Sequence, residues 1–148
     1  MGLDMYLSRR TYVKNYDFMS EDEKHEITIK KGGENVSNID TNNISHVIEG
    51  IAYWRKANQI HNWFVENVQS GNDDCKSYYV TKEELDTLVK LCEHILEHKA
   101  DASKLLPTAS GFFFGGTEYN EYYYDDLKET IEMLKNLPEG DYYYESSW

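Results

Sequence analysis

Residues 3–14 alternate imperfectly, with Leu3, Met5 and Leu7 on one face and Tyr6 on the other, and this predicts a strand. Ser20–Glu23 reads as a polar turn. His25–Lys30 alternates again and stops at Gly32-Gly33, so the two runs are expected to pair as a hairpin with a long loop. Residues 33–43 are rich in Gly, Asn, Ser and Asp and read as a mobile surface loop. The run 44–54 is ambiguous. Ile44, Val47, Ile48 and Ile51 fit helical spacing, whereas Gly50 and the β-branched content favour a strand. The balance leans to a helix broken near Gly50.

From Arg55 onward Ala57, Ile60, His61, Phe64, Val65 and Val68 fall at helical core positions, and the helix stops before Ser70-Gly71. Thr81-Lys82-Glu83-Glu84 is a capping box, in which Thr81 caps the helix and Glu84 reaches back to the Thr81 amide. The following helix buries Leu85, Leu88, Val89, Cys92, Ile95 and Leu96 and runs to about His98. A turn over 102–106 ends at Pro107. Thr108–Thr117 holds Phe112-Phe113-Phe114 between small residues, as a buried β-segment or as a loop whose backbone approaches something closely. A third helix is expected over about 118–136, with Tyr123, Leu127, Ile131 and Leu134 inward, and Asp141–Trp148 reads as a closing strand. No internal repeat or linker interrupts the chain. The expectation is a single α+β domain over 1–148, a small antiparallel sheet packed against about three helices.

Charge narrows the function classes. The chain has 148 residues, 27 acids against 15 bases and a net charge of −12. That counts against direct nucleic-acid binding and against a hold on anionic lipid, both of which want basic surface. No apolar run is long enough to span a membrane, and the start of the chain is too short and polar for a signal peptide. Nine acids and two lysines fall in residues 117–148, so more than half of the net charge sits there. This region reads either as a solvated acidic face or as a surface that docks on a basic partner. Cys75 and Cys92 show no paired spacing, which fits a reducing cytoplasm, and Asp73-Asp74 disfavour a thiolate at Cys75.

The densest constellation is Tyr53–Phe64. A helix starting near Arg55 would place Arg55, Asn58 and His61 on one face, and its free amides would add to the charges of Arg55 and Lys56. Trp54 would stack a ring, while Asn58 and His61 would hydrogen-bond, a set suited to a nucleotide, a phosphate ester or a carboxylate. The plainer alternative makes Trp54 and Trp63 core, pairs Arg55 with a glutamate and leaves His61 a satisfied histidine on an apolar stripe. Ser110 and Thr117 offer hydroxyls on the glycine-rich loop, although Thr117 also suits the cap of the next helix. The loop has neither the lysine and spacing of a P-loop nor a GxGxxG pattern, and no cofactor is indicated. His94 and His98 stand four apart with no third metal ligand placed. No catalytic triad is legible, and His61 is the one candidate acid–base group.

The segments Met1–Leu7, Tyr53–Val65, Leu106-Pro107-Thr108, Ser110–Gly115 and Tyr143–Trp148 together resemble a family of small uncharacterised bacteriophage and prophage proteins. Residues 15–45 match it poorly. The resemblance implies a phage gene product in the cytoplasm of a bacterial host and carries over no catalytic residue. By analogy with other small acidic phage proteins, the leading expectation is a non-catalytic binder of a small anionic ligand such as a nucleotide, acting in counter-defence. Its ligand-binding residues are Trp54, Arg55, Lys56, Asn58, His61, Ser110 and Thr117. The alternatives are an acidic interaction protein that binds a basic host protein or mimics nucleic acid, and a phosphoester hydrolase using His61. The sequence leaves the oligomeric state open.

Overall fold

The computed structural model describes residues 2–148. Met1, which opens the first resemblance segment, lies outside them. The described residues are α+β. A four-stranded antiparallel sheet is built from β1 (Asp4–Tyr12), β4 (His46–Arg55), β5 (Tyr78–Val80) and β6 (Asp141–Ser147), in the order β4-β1-β6-β5. A two-stranded sheet joins β2 (Lys30–Lys31) to β3 (Glu34–Asn35). The helices are α1 (Asn58–Asn67), α2 (Lys82–Glu97), the single turn α3 (Ala102–Leu105) and α4 (Glu121–Leu134).

The inward side chains of the sheet are Leu3, Met5, Leu7, Ala52, Trp54, Val80, Tyr142 and Tyr144, all buried. They meet Ile60 and Phe64 of α1, Leu85, Leu88 and Ile95 of α2, and Leu127 and Leu134 of α4 in one core. Truncating any of these large aliphatic groups to Ala costs about 2–5 kcal/mol, because the hole closes only in part. The capping box forms as expected. Glu84 N donates to Thr81 Oγ1 at 3.1 Å and Thr81 N to the Glu84 carboxylate at 3.3 Å.

Several expectations are corrected. Residues 46–55 form strand β4, not a helix. Leu7 pairs with Ala52 but Ser8 with Gly50, so Ile51 is an extra residue in a β-bulge. Ile48 and Ile51, three apart in sequence across the bulge, mimic helical spacing. The first strand does not pair with His25–Lys30 but lies between β4 and β6. Only Lys30–Lys31 of the second run is strand. It turns back through Gly32 and Gly33, at φ 62° and 85°, onto Glu34–Asn35. Within 33–43 the rest is irregular apart from a 3-10 turn at Thr41–Asn43. Helix α1 begins at Asn58, three residues later than expected, because Arg55 ends β4 and Lys56 takes a left-handed φ of 56°. Thr117 does not cap α4. Asn120 does, accepting Tyr123 N at 3.3 Å. The strand β5, which no pattern indicated, closes the sheet beside β6.

Candidate functional site

A cavity of about 480 Å³ opens where β4 hands over to α1, facing the 108–118 loop and the start of α4. Arg55, Lys56 and Gln59 line it from one side, Thr108, Gly115, Gly116 and Glu118 from the loop, and Asn120, Tyr122, Tyr123 and Asp126 from α4.

The junction has a defined local cause. Lys56 N donates to Leu3 O at 2.8 Å, and Asn58 N returns to Lys56 O at 2.9 Å. The left-handed Lys56 thus stops the strand and lets the helix start in a new direction. Gly115, at φ 90°, presses on this turn. A Cβ added there would stand 3.1 Å from Lys56 Cβ and 3.3 Å from Lys56 O, so only glycine fits without a shift.

The loop is fastened to α1 by Asn58, which is buried. Its Nδ2 donates to Phe114 O at 3.1 Å and Gly116 O at 2.8 Å, and its Oδ1 accepts Ala109 N at 3.0 Å. Phe114 anchors the loop in the core, while Phe112 and Phe113 face solvent. Thr108 ties the loop back on itself, its Oγ1 donating to Thr117 O at 2.9 Å.

At the α4 side, Gln59 Nε2 donates to Tyr123 O at 3.2 Å and to Asp126 Oδ2 at 3.1 Å. Burial pushes the Asp126 carboxyl up to about 6. The Gln59 hydrogen bond opposes this, and the charges of Glu129 and Asp125 add to it. A carboxyl so perturbed, in a cleft, is a functional-site signal. Arg55 is weakly paired, with Asp4 Oδ1 at 3.9 Å, and that aspartate already accepts the Tyr53 hydroxyl at 2.5 Å. Lys56 makes no ion pair among the described residues. The cavity therefore has a cationic side, Arg55 and Lys56, and a carboxyl side, Asp126 and Glu118.

Of the seven residues expected to bind ligand, two line this cavity: Arg55 and Lys56. Trp54 is buried beneath it and donates Nε1 to Thr130 Oγ1 at 2.8 Å, so its ring faces the core instead of a ligand. Asn58 spends its amide on the loop. His61 is buried on the far side of α1, with Nδ1 2.7 Å from the Tyr144 hydroxyl and Nε2 3.0 Å from Asp73 Oδ2. Asp73 accepts from Nε2–H and Nδ1 is bonded to the Tyr144 hydroxyl, so neither ring nitrogen is free. Trp148 Nε1 donates to the other oxygen of Asp73 at 2.9 Å, which ties the end of the chain to the same group. Ser110 and Thr117 are exposed and stand off the cavity wall, which takes Thr108, Gly115 and Gly116 instead.

Sequence reasoning missed Gln59, Asn120, Tyr122 and Asp126. Gln59 lies inside the Tyr53–Phe64 constellation, where its neutral side chain has neither charge nor ring to mark it. Asp126 has no sequence signal that separates it from the other acids of 117–148. Elsewhere, His94 Nε2 meets Asp101 Oδ2 at 2.8 Å, and among the described residues no group of three or more His, Cys, Asp or Glu side chains is placed to hold a metal. No helix among them is long and apolar enough to cross a membrane. No family model, curated protein or solved structure matches this chain.

Proposed function

We propose that the protein is a non-catalytic binder of a small anionic ligand of nucleotide size, held in the cavity between Arg55–Lys56 and the start of α4. The observation that carries this reading is a built cleft with weakly engaged cations on one side and hydrogen-bonding groups on the other. Its volume of about 480 Å³ lies in the range of small-molecule sites. The anionic group meets Arg55, Lys56 and the positive end of the 14-residue helix α4. The neutral part of the ligand lies along Tyr122, whose ring is 80% exposed, and offers N–H groups to Asp126. The resemblance to phage proteins sets this binding in an infected bacterial cytoplasm, where sequestering a nucleotide signal serves counter-defence.

The test is calorimetric titration of nucleoside monophosphates and cyclic nucleotides into the wild-type chain and into Arg55→Ala. A charge-assisted contact is worth about 1.5–3 kcal/mol, so the variant should bind about 10- to 100-fold more weakly with its fold intact. An Arg55→Ala chain that binds as tightly as wild type sinks the reading.

A second reading has its own support. Glu121, Asp125, Glu129 and Glu132 recur at helical spacing on α4, away from the buried Tyr123, Leu127, Thr130 and Leu134. That stripe suits a basic host protein, and its complex would weaken steeply with salt. The hydrolase reading draws no support from His61, whose ring nitrogens are both engaged away from the cavity.

A further inference from the structure

The face of the four-stranded sheet that carries no helix is unusually aromatic. The outward side chains are Tyr6 and Tyr12 of β1, Ile48 and Tyr53 of β4, Tyr143 of β6 and Tyr79 of β5. Five of these are more than 40% exposed, Ile48 reaching 63%. They are arranged in cross-strand pairs. Tyr6 meets Tyr53 at 5.4 Å between ring centroids, Tyr79 meets Tyr143 at 5.6 Å, and the Arg10 guanidinium covers the Tyr143 ring at 3.9 Å. Exposed aromatic side chains gathered on one face, with charged groups among them, mark an interaction surface.

We propose that a second copy of this chain packs on this face, forming a twofold dimer. Three observations select that occupant. The first is charge. The chain carries −12, so two copies repel through most approaches. On this face Arg10 and Arg55 nearly balance Asp4, Asp141 and Glu145, and two copies can meet there without that penalty. The same balance disfavours a nucleic-acid strand, which needs a basic platform.

The second is complementarity. β1 and β6 lie side by side at the centre, with Arg10 in register with Asp141. A twofold axis along the β1–β6 seam lays β1 of each copy over β6 of the other at the same level. Arg10 of each copy then faces Asp141 of the second copy, while Tyr6 and Ser8 meet Glu145 and Tyr143. Such self-complementarity is what a twofold interface demands.

The third is area. The four strands, of nine, ten, seven and three residues, at about 3.3 Å per residue and about 4.8 Å apart, give a flat patch of about 460 Å² before side-chain relief. A standard interface buries about 800 Å² per partner, so the face supports a reversible dimer and not an obligate one. Tyrosine suits such a surface, bringing area at low entropy cost with a polar tip that keeps the free monomer soluble.

Sedimentation velocity on the full chain between about 1 and 100 μM, the range that resolves a micromolar Kd, tests this. Wild type should move from the mass of one chain towards twice that mass across the range. Ile48→Glu places a charge beside Arg10, which the monomer tolerates, and should weaken association at least about tenfold. Arg10→Asp should weaken it as well, and Arg10→Asp combined with Asp141→Arg should recover it. Lys90→Gln, on the exposed side of α2, shifts the net charge as Ile48→Glu does and should leave association unchanged. A wild type still monomeric at the highest concentration overturns the proposal. So does association untouched by Ile48→Glu, or a charge-swapped double variant no better than Arg10→Asp alone.

Discussion

Gln59 donates its side-chain amide to the Asp126 carboxylate at 3.1 Å, linking α1 to α4 at the wall of the cavity. The burial of that carboxyl sets how the site responds to pH, and the Gln59 hydrogen bond opposes it. Burial raises the Asp126 pKa to about 6, above its ordinary value of 3.8. Between those values the folded chain holds a proton that the unfolded chain has lost, so stability falls as pH rises through the window and the cost is complete above about 6. Asp126→Asn keeps an acceptor for Gln59 and has no proton to lose. Urea unfolding should find it more stable than wild type at pH 8 and no more stable at pH 4.

The same titration acts on the ligand. Ionised Asp126 adds negative charge to a cavity proposed to hold an anion. A cyclic nucleotide, whose phosphodiester charge does not change in this range, should bind more tightly at pH 5 than at pH 7.5, and Asp126→Asn should flatten that dependence. A wild-type affinity for that diester that rises with pH would speak against this placement of the anion.

Gly115→Ala tests how the loop shapes the cavity. Its φ of 90° is strained for any side chain, and the new methyl would meet Lys56 at 3.1 Å. The expected loss is about 1–3 kcal/mol in urea unfolding, with ligand affinity falling too because Lys56 is displaced. Gly50→Ala is the control, since nothing lies within 4 Å of an added Cβ there.

Tyr144→Phe separates architecture from binding. Tyr144 stacks on Phe64 at 3.8 Å between ring centroids, and its hydroxyl bonds His61. Removing the hydroxyl leaves a buried imidazole nitrogen unpaired, at a cost of about 1–3 kcal/mol. Affinity for the anionic ligand should be unchanged, because this network lies away from the cavity. If binding were lost with the fold intact, the site would instead include His61.

Much of the architecture was legible because local and global signals agree there. The alternation at Leu3, Met5 and Leu7, the Thr81–Glu84 box and the inward set of α4 each point one way. β4 was misread because a bulge at Ile51 destroys its two-residue period, and a bulge is decided by pairing with another strand. The site was legible as a neighbourhood but not as a face. Placing Arg55, Asn58 and His61 on one helix assumed continuity through Lys56, whose left-handed backbone divides them. Arg55 and Lys56 consequently reach the cavity, while Asn58 and His61 fasten the loop and the end of the chain. Nothing local to α4 distinguishes Asp126 from its acidic neighbours. Only the packing of α1 against α4 buries it.

The central claim is that Arg55 and Lys56 hold a small anion. Native mass spectrometry tests it most directly, on wild type and Arg55→Ala/Lys56→Ala after incubation with a small-molecule extract of phage-infected bacteria. The account predicts a stoichiometric added mass on wild type that vanishes on denaturation and is missing from the double variant. A wild-type spectrum that stays at the bare chain mass, or the same added mass on both proteins, would contradict it.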